Sequence, residues 1–552
     1  MAWQAHQAGQ GSPFPLFSRD IAYPDGGCMF LPDPIGGTAS ILFVWIFGVA
    51  FAHNLLVFTQ MLLAGLVLFA VVYKRTGDWA SSTLGGIAYA VCPVMLGNIV
   101  CGIDEILQAL WLPLVIDRAL VLVETLKNID SDTRRVIKSA FWLGTLLAVN
   151  AVAQWYYGIY GFLAAGLIVA VGLLSKMPMK RRGTLAAAGL GAAAFGGILI
   201  AGPAWLFTRC FSGGQSLFYL GSMDFYITQP SILFSHSADP AFLLRARPHF
   251  DNYLHLGYVG FTLPALLAVA VWRKLRLSGG LAALALLFAL LSFGPLLGFH
   301  GKPVLIEGKM LRLPYYFLYK LLPFFKEMRL PYRFFLAFYA CSSLALGLGL
   351  AGVWTHLTRR KLFFTIAAAA LIVEILSLSG APWPMTAQDL RCTQGASMLQ
   401  GDEGAVFDLP MLFAPKGRGK YLVDQSCHHR PVVYGVQGKD FAPSLRDNYF
   451  VNLLYVMSQP ARRRHGESVD LFKGTRYFDA ARAARDLRDQ SLDDANLSAN
   501  IEGDIDALAQ IGVTTIAWHR NVDVKDSALP SALMTLLGEP EEFGDLLIYS
   551  LE

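Results

Sequence analysis

Charge is scarce in this chain. Only 15% of its 552 residues are Asp, Glu, Lys or Arg, where a soluble domain carries about a quarter. That deficit excludes an ordinary water-exposed fold over most of the length. Tight metal-ligand spacing is also missing, with no CxxC pair and no HExxH. No glycine pattern for a nucleotide is found, since the glycines of LGAAAFGG lie in an apolar stretch where they let helices approach closely. Internal repeats of the kind transporters use are not visible. Residues 1–37 lack the basic and apolar regions of a signal peptide.

What is present is apolar. The chain is 55% hydrophobic, with a mean hydropathy of +0.46. A bilayer core about 30 Å thick takes about 20 apolar residues per helix. Ten windows approach that length: 54–73, 79–99, 106–126, 138–153, 158–175, 184–208, 256–272, 280–298, 333–354 and 362–380. Residues 38–53 are shorter and suit an interfacial or re-entrant segment. The polar, aromatic break at Gln154-Trp155-Tyr156-Tyr157-Gly158 predicts a tight outer turn. One long kinked helix is the alternative there.

Net charge is +5, and its placement says more than its sum. Lys74 and Arg75, then Lys127, Arg134, Arg135 and Lys138, then Lys176 and Lys180 to Arg182, then Arg273, Lys274 and Arg276, then Arg359 to Lys361 fill alternate loops. Short loops rich in Lys and Arg stay cytoplasmic. All five clusters fall on one side of a ten-span arrangement. The N-terminus, the 209–255 loop, the 299–331 loop and the tail are then outside.

The expected fold class is a polytopic α-helical membrane protein of about ten transmembrane helices with a C-terminal extracytoplasmic α/β domain. Residues 1–37 form an extracytoplasmic loop remnant, 38–382 the membrane domain and 383–552 the soluble domain. In the last, GAVFDLP (404–410), VTTIAWH (513–519) and LLIYSL (546–551) predict strands, and 446–458 and 504–511 predict helices. Residues 459–503 predict surface helices and loops. Within 299–331, the stretch LPYYFLYKLLPFFK (313–326) predicts an amphipathic helix lying in the interface. Of seven cysteines, Cys392 and Cys427 share the outer tail. They either form a disulfide in an oxidising compartment or are two unrelated thiols.

Several groups of residues are candidates for chemistry. Arg329 and Arg333 lie four apart at a helix start, where free backbone N–H groups and two guanidinium groups suit a lipid phosphate. Snorkelling toward headgroups is the other reading. Lys326 is a weaker phosphate candidate. Asp104 and Glu105, between two spans on the outer side, suit a general base or a divalent cation such as Mg or Mn, or are simply acids at a helix N-terminus. Asp20 and Asp25 lie in the first outer segment beside turn glycines. The pair His428-His429, followed by Arg430, and the pair His519-Arg520 read as structural.

Taken in order, AYPDGGCMFLPDP, AHNLLVFTQMLLAGLVLFAVVYKRTG, GIDEILQALWLPLVIDRAL, QWYYGIYG, NYLHLGYVGFTLP, MRLPYRFFLAFYACSSLALGLGLAG, GAVFDLP, YLVDQSCHHRPVVYG and IGVTTIAWHR resemble the GT-C superfamily of polytopic glycosyltransferases, in particular YfhO-like bacterial members. The resemblance implies a bacterial inner-membrane enzyme that moves a sugar from a polyprenyl-phosphate carrier to a glycan, lipid or protein acceptor on the outer face. It implies an acidic base in the first outer loop. Here the chain begins late in that loop, as though the first transmembrane helix were missing, so Asp20, Asp25 and Asp33 remain, none of them clearly at the family's position. Asp104 and Glu105 fall at the second outer loop, and Arg329 and Arg333 at a basic outer segment. A non-catalytic partner in envelope polysaccharide assembly, or a lipid or sugar transporter, stand as alternatives.

Overall fold

The computed structural model describes residues 17–28, 34–100, 108–127, 133–212, 257–273, 277–299, 302–322, 331–350, 359–378, 391–411, 415–434, 442–445, 448–458, 495–520 and 536–551, with some isolated positions besides. Two compact units result. One comprises Pro32–Trp205 and Ser222–Ala387; the other comprises Met1–Leu31, Leu206–Gly221 and Gln388–Glu552.

The first unit is helical. Its helices are α1 (Pro34–Phe47), α2 (Val49–Thr76), α3 (Trp79–Ala90), α4 (Pro93–Val100), α5 (Trp111–Lys127), α6 (Thr133–Ala153), α7 (Trp155–Leu174), α8 (Met179–Ser212), α9 (Thr262–Arg273), α10 (Leu277–Ser292), α11 (Pro314–Leu321), α12 (Phe335–Leu350) and α13 (Arg360–Leu378). Among the described residues six helical segments are long and apolar enough to cross a membrane: Val49–Thr76, Trp79–Ile99, Thr133–Ala153, Trp155–Leu174, Met179–Leu206 and Pro331–Leu350. α9 and α10 are apolar but shorter. The window 79–99 is broken where Pro93, which has no N–H to continue the ladder, starts α4. The window 280–298 stops early because Gly294 takes φ 83° just before Pro295.

The α2–α3 corner is set by local chemistry. Gly77 adopts φ 66° and donates its N–H to Tyr73 O, a left-handed cap open to glycine. Asp78 then accepts from the N–H groups of Ala80 and Ser81, capping α3. The break falls at Gln154 alone and forms the expected turn, with Trp155, Tyr156 and Tyr157 already in α7. α6 ends at Ala153, Gln154 is extended, and α7 folds back. A Cβ on Gly158 would lie 2.7 Å from the Ala151 Cβ, so the hairpin closes only on a glycine.

α12 is the axis of this unit. Every residue from Phe335 to Leu350 is buried, the mark of a helix enclosed on all sides. Small residues let neighbours approach. A Cβ on Gly85 of α3 would meet Ser343 O of α12 at 2.9 Å. The basic loops are drawn together at one end. Arg75 Nη1 reaches Glu124 Oε1 at 2.8 Å, and Arg181 Nη1 donates to Lys127 O at 3.4 Å. Large apolar side chains such as Phe58, Leu66, Leu190 and Ile198 face outward, as lipid contact requires.

The second unit is a mixed α/β fold. Strands β1 (Ala405–Leu409), β2 (Val513–His519), β3 (Glu541–Phe543) and β4 (Leu546–Ser550) lie in the order β1-β2-β4-β3. β1 and β2 are parallel, with Phe407 opposite Ile516, and the other pairs are antiparallel. Helices α14 (Pro415–His428), α15 (Tyr449–Met457) and α16 (Ala495–Gln510) flank it. Of the 459–503 stretch, 495–503 lie in α16, and 459–494 are outside the described residues. Phe407, Tyr421, Tyr434, Phe450, Leu454 and Ile516 fill the core. Residues 17–28 belong to this unit. Val406 N–H donates to Pro431 O, Val432 N–H to Asp20 O, and Tyr23 N–H to Val432 O. Two segments far apart in sequence thus extend the layer beyond β1. Cys392 and Cys427 are joined as a disulfide.

Candidate functional site

Arg333 is the buried cation of the helical unit. It sits on a 3-10 turn, Pro331–Phe334, that leads into α12. Proline fits the start of such a turn because its missing N–H would have no partner there. It is 8% exposed, whereas a headgroup anchor would keep its charged end outside the packing. Its guanidinium carbon lies 4.6 Å from the centre of the Tyr156 ring, a cation–π contact. Tyr156 stands in the first turn of α7, and one turn on, Tyr160 packs its ring 4.7 Å from Phe334. The Tyr160 hydroxyl is buried without a hydrogen-bond partner and lies within the field of the Arg333 charge. Phe334 also meets Phe288, Tyr315 and Phe325. The result is a guanidinium and an O–H donor held in an aromatic wall at the end opposite the basic loops, donors suited to an anionic oxygen.

The structure places the other sequence candidates as follows. Asp104, Glu105, Lys326 and Arg329 lie outside the described residues. The two helices that flank 101–107, α4 and α5, both pack on α12. Asp20 and Asp25 belong to the α/β unit. The Asp20 carboxylate accepts from Ser18 Oγ at 2.9 Å, and its carbonyl accepts from Gln425 Nε2 at 2.5 Å. Asp25 Oδ2 accepts from Ser444 N–H at 2.8 Å. Both aspartates bind backbone and turn groups of their own unit.

Other charges in the apolar spans are matched within the packing. Asp117 pairs with Arg75 Nε at 2.7 Å and Arg118 Nη2 at 2.5 Å. Glu374 of α13 accepts the Phe261 and Thr262 N–H groups at 2.6 and 2.8 Å, satisfying donors at the start of α9.

A second polar cluster escaped sequence reasoning. Asp408 on β1 and His519 on β2 meet at 2.7 Å, and the other ring nitrogen of His519 lies 3.4 Å from Asp424 on α14. Thr393 holds Asp424 through its N–H and hydroxyl at 2.6 and 2.5 Å. Burial pushes the Asp408 carboxyl above its ordinary range, with the His519 hydrogen bond opposing. An aspartate inside the apolar run GAVFDLP was the one available signal. Asp408, Asp424 and His519 are at most 2% exposed, so they bond α14 to the sheet and offer no surface to a substrate. Arg430 has a similar structural part: it donates to Gly404 O, Glu403 O, Thr514 Oγ1 and Thr515 Oγ1. Among the described residues no group of three or more His, Cys, Asp or Glu has the geometry to hold a metal ion.

No protein-family model matches the sequence, and no curated protein matches it. Among solved structures, the chain is similar over its whole length to a mutant arabinofuranosyltransferase AftD from Mycobacteria, at 13% identity and TM-score 0.48, covering 39% of that chain. The chain therefore spans well under half of that protein. It is also similar to ArnT from Cupriavidus metallidurans, in the apo state (10% identity, TM-score 0.41) and bound to undecaprenyl phosphate (11%, 0.42), each time covering 92% of that chain. Likenesses this distant carry no argument about activity.

Proposed function

We propose that this protein is an integral membrane glycosyltransferase that takes a sugar from a polyprenyl-phosphate carrier on the outer face of a bacterial inner membrane. The observation that carries the proposal is Arg333. A charged residue at membrane depth that faces the bundle interior is by default functional, and this one shares its wall with the Tyr160 hydroxyl at the end away from the basic loops. The five short Lys- and Arg-rich clusters mark the other end as cytoplasmic, which makes the Arg333 end the outer one in this reading, although its own 299–331 loop is also basic. The Cys392–Cys427 disulfide supports an oxidising compartment for the α/β unit.

In this mechanism an acceptor hydroxyl attacks the sugar carbon as the bond to the carrier phosphate breaks. Asp104 or Glu105 removes the hydroxyl proton. The leaving phosphate gains charge, and Arg333, with Arg329 and Lys326, stabilises it electrostatically. The Tyr160 O–H adds a neutral donor. Transport is the weaker reading, because Asp117 and Glu374, charges a transport path would use, are bonded within the packing.

The test is transfer of radiolabelled sugar from polyprenyl phosphate in proteoliposomes. Arg333→Gln is expected to lower the rate by about a hundredfold, the scale for losing one transition-state donor. Undiminished transfer by an Arg329→Ala, Arg333→Ala double variant would refute the phosphate role.

A further inference from the structure

We propose that residues 305–322 form a pad that docks on anionic lipid headgroups of the outer leaflet and sinks its apolar side chains into the acyl boundary. The segment is well built. Leu305–Ile306 pairs with Lys309–Met310 around a turn at Glu307 and Gly308, whose φ values are 51° and 75°. That is a tight hairpin of the kind favoured by right-handed strand twist. Backbone bonds from Leu311 N–H to Val304 O and from Leu313 N–H to Pro295 O tie it to the end of the preceding helical segment. α11 follows at once.

The pad has two faces. On the inner one, Tyr315 is fully buried, donates its hydroxyl to Phe325 O at 3.1 Å, and meets the Phe334 ring edge-on at 6.2 Å. This contact fixes α11 beside the first turn of α12, at the outer end of the bundle. The outer face holds Leu305, Met310, Phe317 and Leu321, which are 59%, 52%, 57% and 75% exposed. Phe317 and Leu321 are one helical turn apart and share a face. So many exposed apolar side chains in 17 consecutive positions, Leu305 to Leu321, mark an interaction surface and not a wet loop.

Charge decides the partner. Arg312 and Lys320 both lie over the Tyr316 ring, at 4.7 and 5.8 Å, and Lys309 stands at the hairpin. The one acid in the segment is Glu307, at the turn. Cations ringing an apolar face, with Tyr between them, match a headgroup layer over acyl chains. A peptide partner would use apolar contact without needing that basic rim.

The experiment uses the full chain in lipid nanodiscs, with a benzophenone side chain installed at Leu321, at Met310, or at the exposed Glu541 of the α/β unit as control. After irradiation, intact-mass measurement identifies what is attached. We expect lipid adducts at Leu321 and Met310 about tenfold above those at Glu541. We also expect a preference for phosphatidylglycerol over phosphatidylcholine that a Lys309→Glu, Arg312→Glu, Lys320→Glu variant loses. Adducts to protein, no adduct above the control, or a lipid preference unchanged by charge reversal would each overturn the proposal. None of these readouts requires transferase activity, so the pad and the proposed reaction succeed or fail separately.

Discussion

His428 should make the α/β unit sensitive to mild acid. Its Nδ1 accepts the Arg430 N–H at 3.0 Å, which requires a lone pair and hence a neutral ring at that atom. The side chain is 2% exposed. Burial, and then the nearby Arg430 charge, pull its pKa down from 6.5 to about 4. A group whose folded pKa lies below its unfolded value holds fewer protons folded than unfolded between the two. Stability from His428 is therefore fully present above about pH 6.5 and is lost as pH falls toward 4. A displacement of about 2.5 pH units, at about 1.4 kcal/mol each, makes about 3 kcal/mol. That is a large part of a typical folding stability of about 5–15 kcal/mol.

Asp408 works in the opposite direction. Its folded pKa is raised by burial, so its contribution is present below the unfolded carboxyl pKa and is lost as pH rises through the folded one. Wild-type behaviour alone would mix the two groups. A His428→Gln variant separates them, since the Gln carbonyl can accept the Arg430 N–H without titrating. The assay is urea unfolding of the full chain, read by pulse proteolysis of the C-terminal unit at pH 7 and pH 4.5. Wild type should lose about 2–3 kcal/mol more than the variant between these values. Equal losses in both would refute the reasoning.

Two further outcomes are expected. The Cys392–Cys427 bridge joins residues 35 apart, so reduction should lower the stability of the α/β unit by about 3–4 kcal/mol on a chain-entropy account; alkylation of both thiols in unreduced protein would show that the bridge does not form. Asp117→Asn removes one of the two carboxylates that pair with Arg75, which is 13% exposed and keeps Glu124, and should cost about 1.5–3 kcal/mol. Thermal unfolding in detergent checks it, and an unchanged midpoint would show that the pair does not hold α2 to α5.

Much of this architecture was legible in the sequence, for reasons that also explain what was not. VTTIAWH and LLIYSL form strands because alternating β-branched and aromatic residues suit a half-buried pleat, and the strands begin and end within a residue of expectation. Hydropathy located the apolar stretches well and their ends less well. It registers solvent preference, not the backbone breaks at Pro93 or Gly294. Partners distant in sequence left no local trace. Asp25 binds the N–H of Ser444, and Asp408 meets His519 only because β1 and β2 pair in parallel. The burial of Arg333 was open in the sequence, since LPYRF is compatible with both a lipid-facing and an inward side chain. Only the packing of Tyr156, Tyr160 and Phe334 decides that.

The described acids of the helical unit are nearly all bonded. Asp20 and Asp25 are bonded within the α/β unit. Asp117 belongs to the Arg75 pair, and Glu374 closes the first turn of α9. Asp78 caps α3 and Glu124 pairs with Arg75, both at the basic-loop end. Glu307 stands exposed at the hairpin turn. Among the described residues, then, every acid of the helical unit but Glu307 is committed to holding helices together. The proposed base, Asp104 or Glu105, lies on a connecting segment outside the described residues. Residues 101–107 carry two adjacent acids between α4 and α5, helices that both pack on the axis Arg333 leads into. An unpaired carboxylate inside the packed helices would be costly, and the acids described there are all bonded.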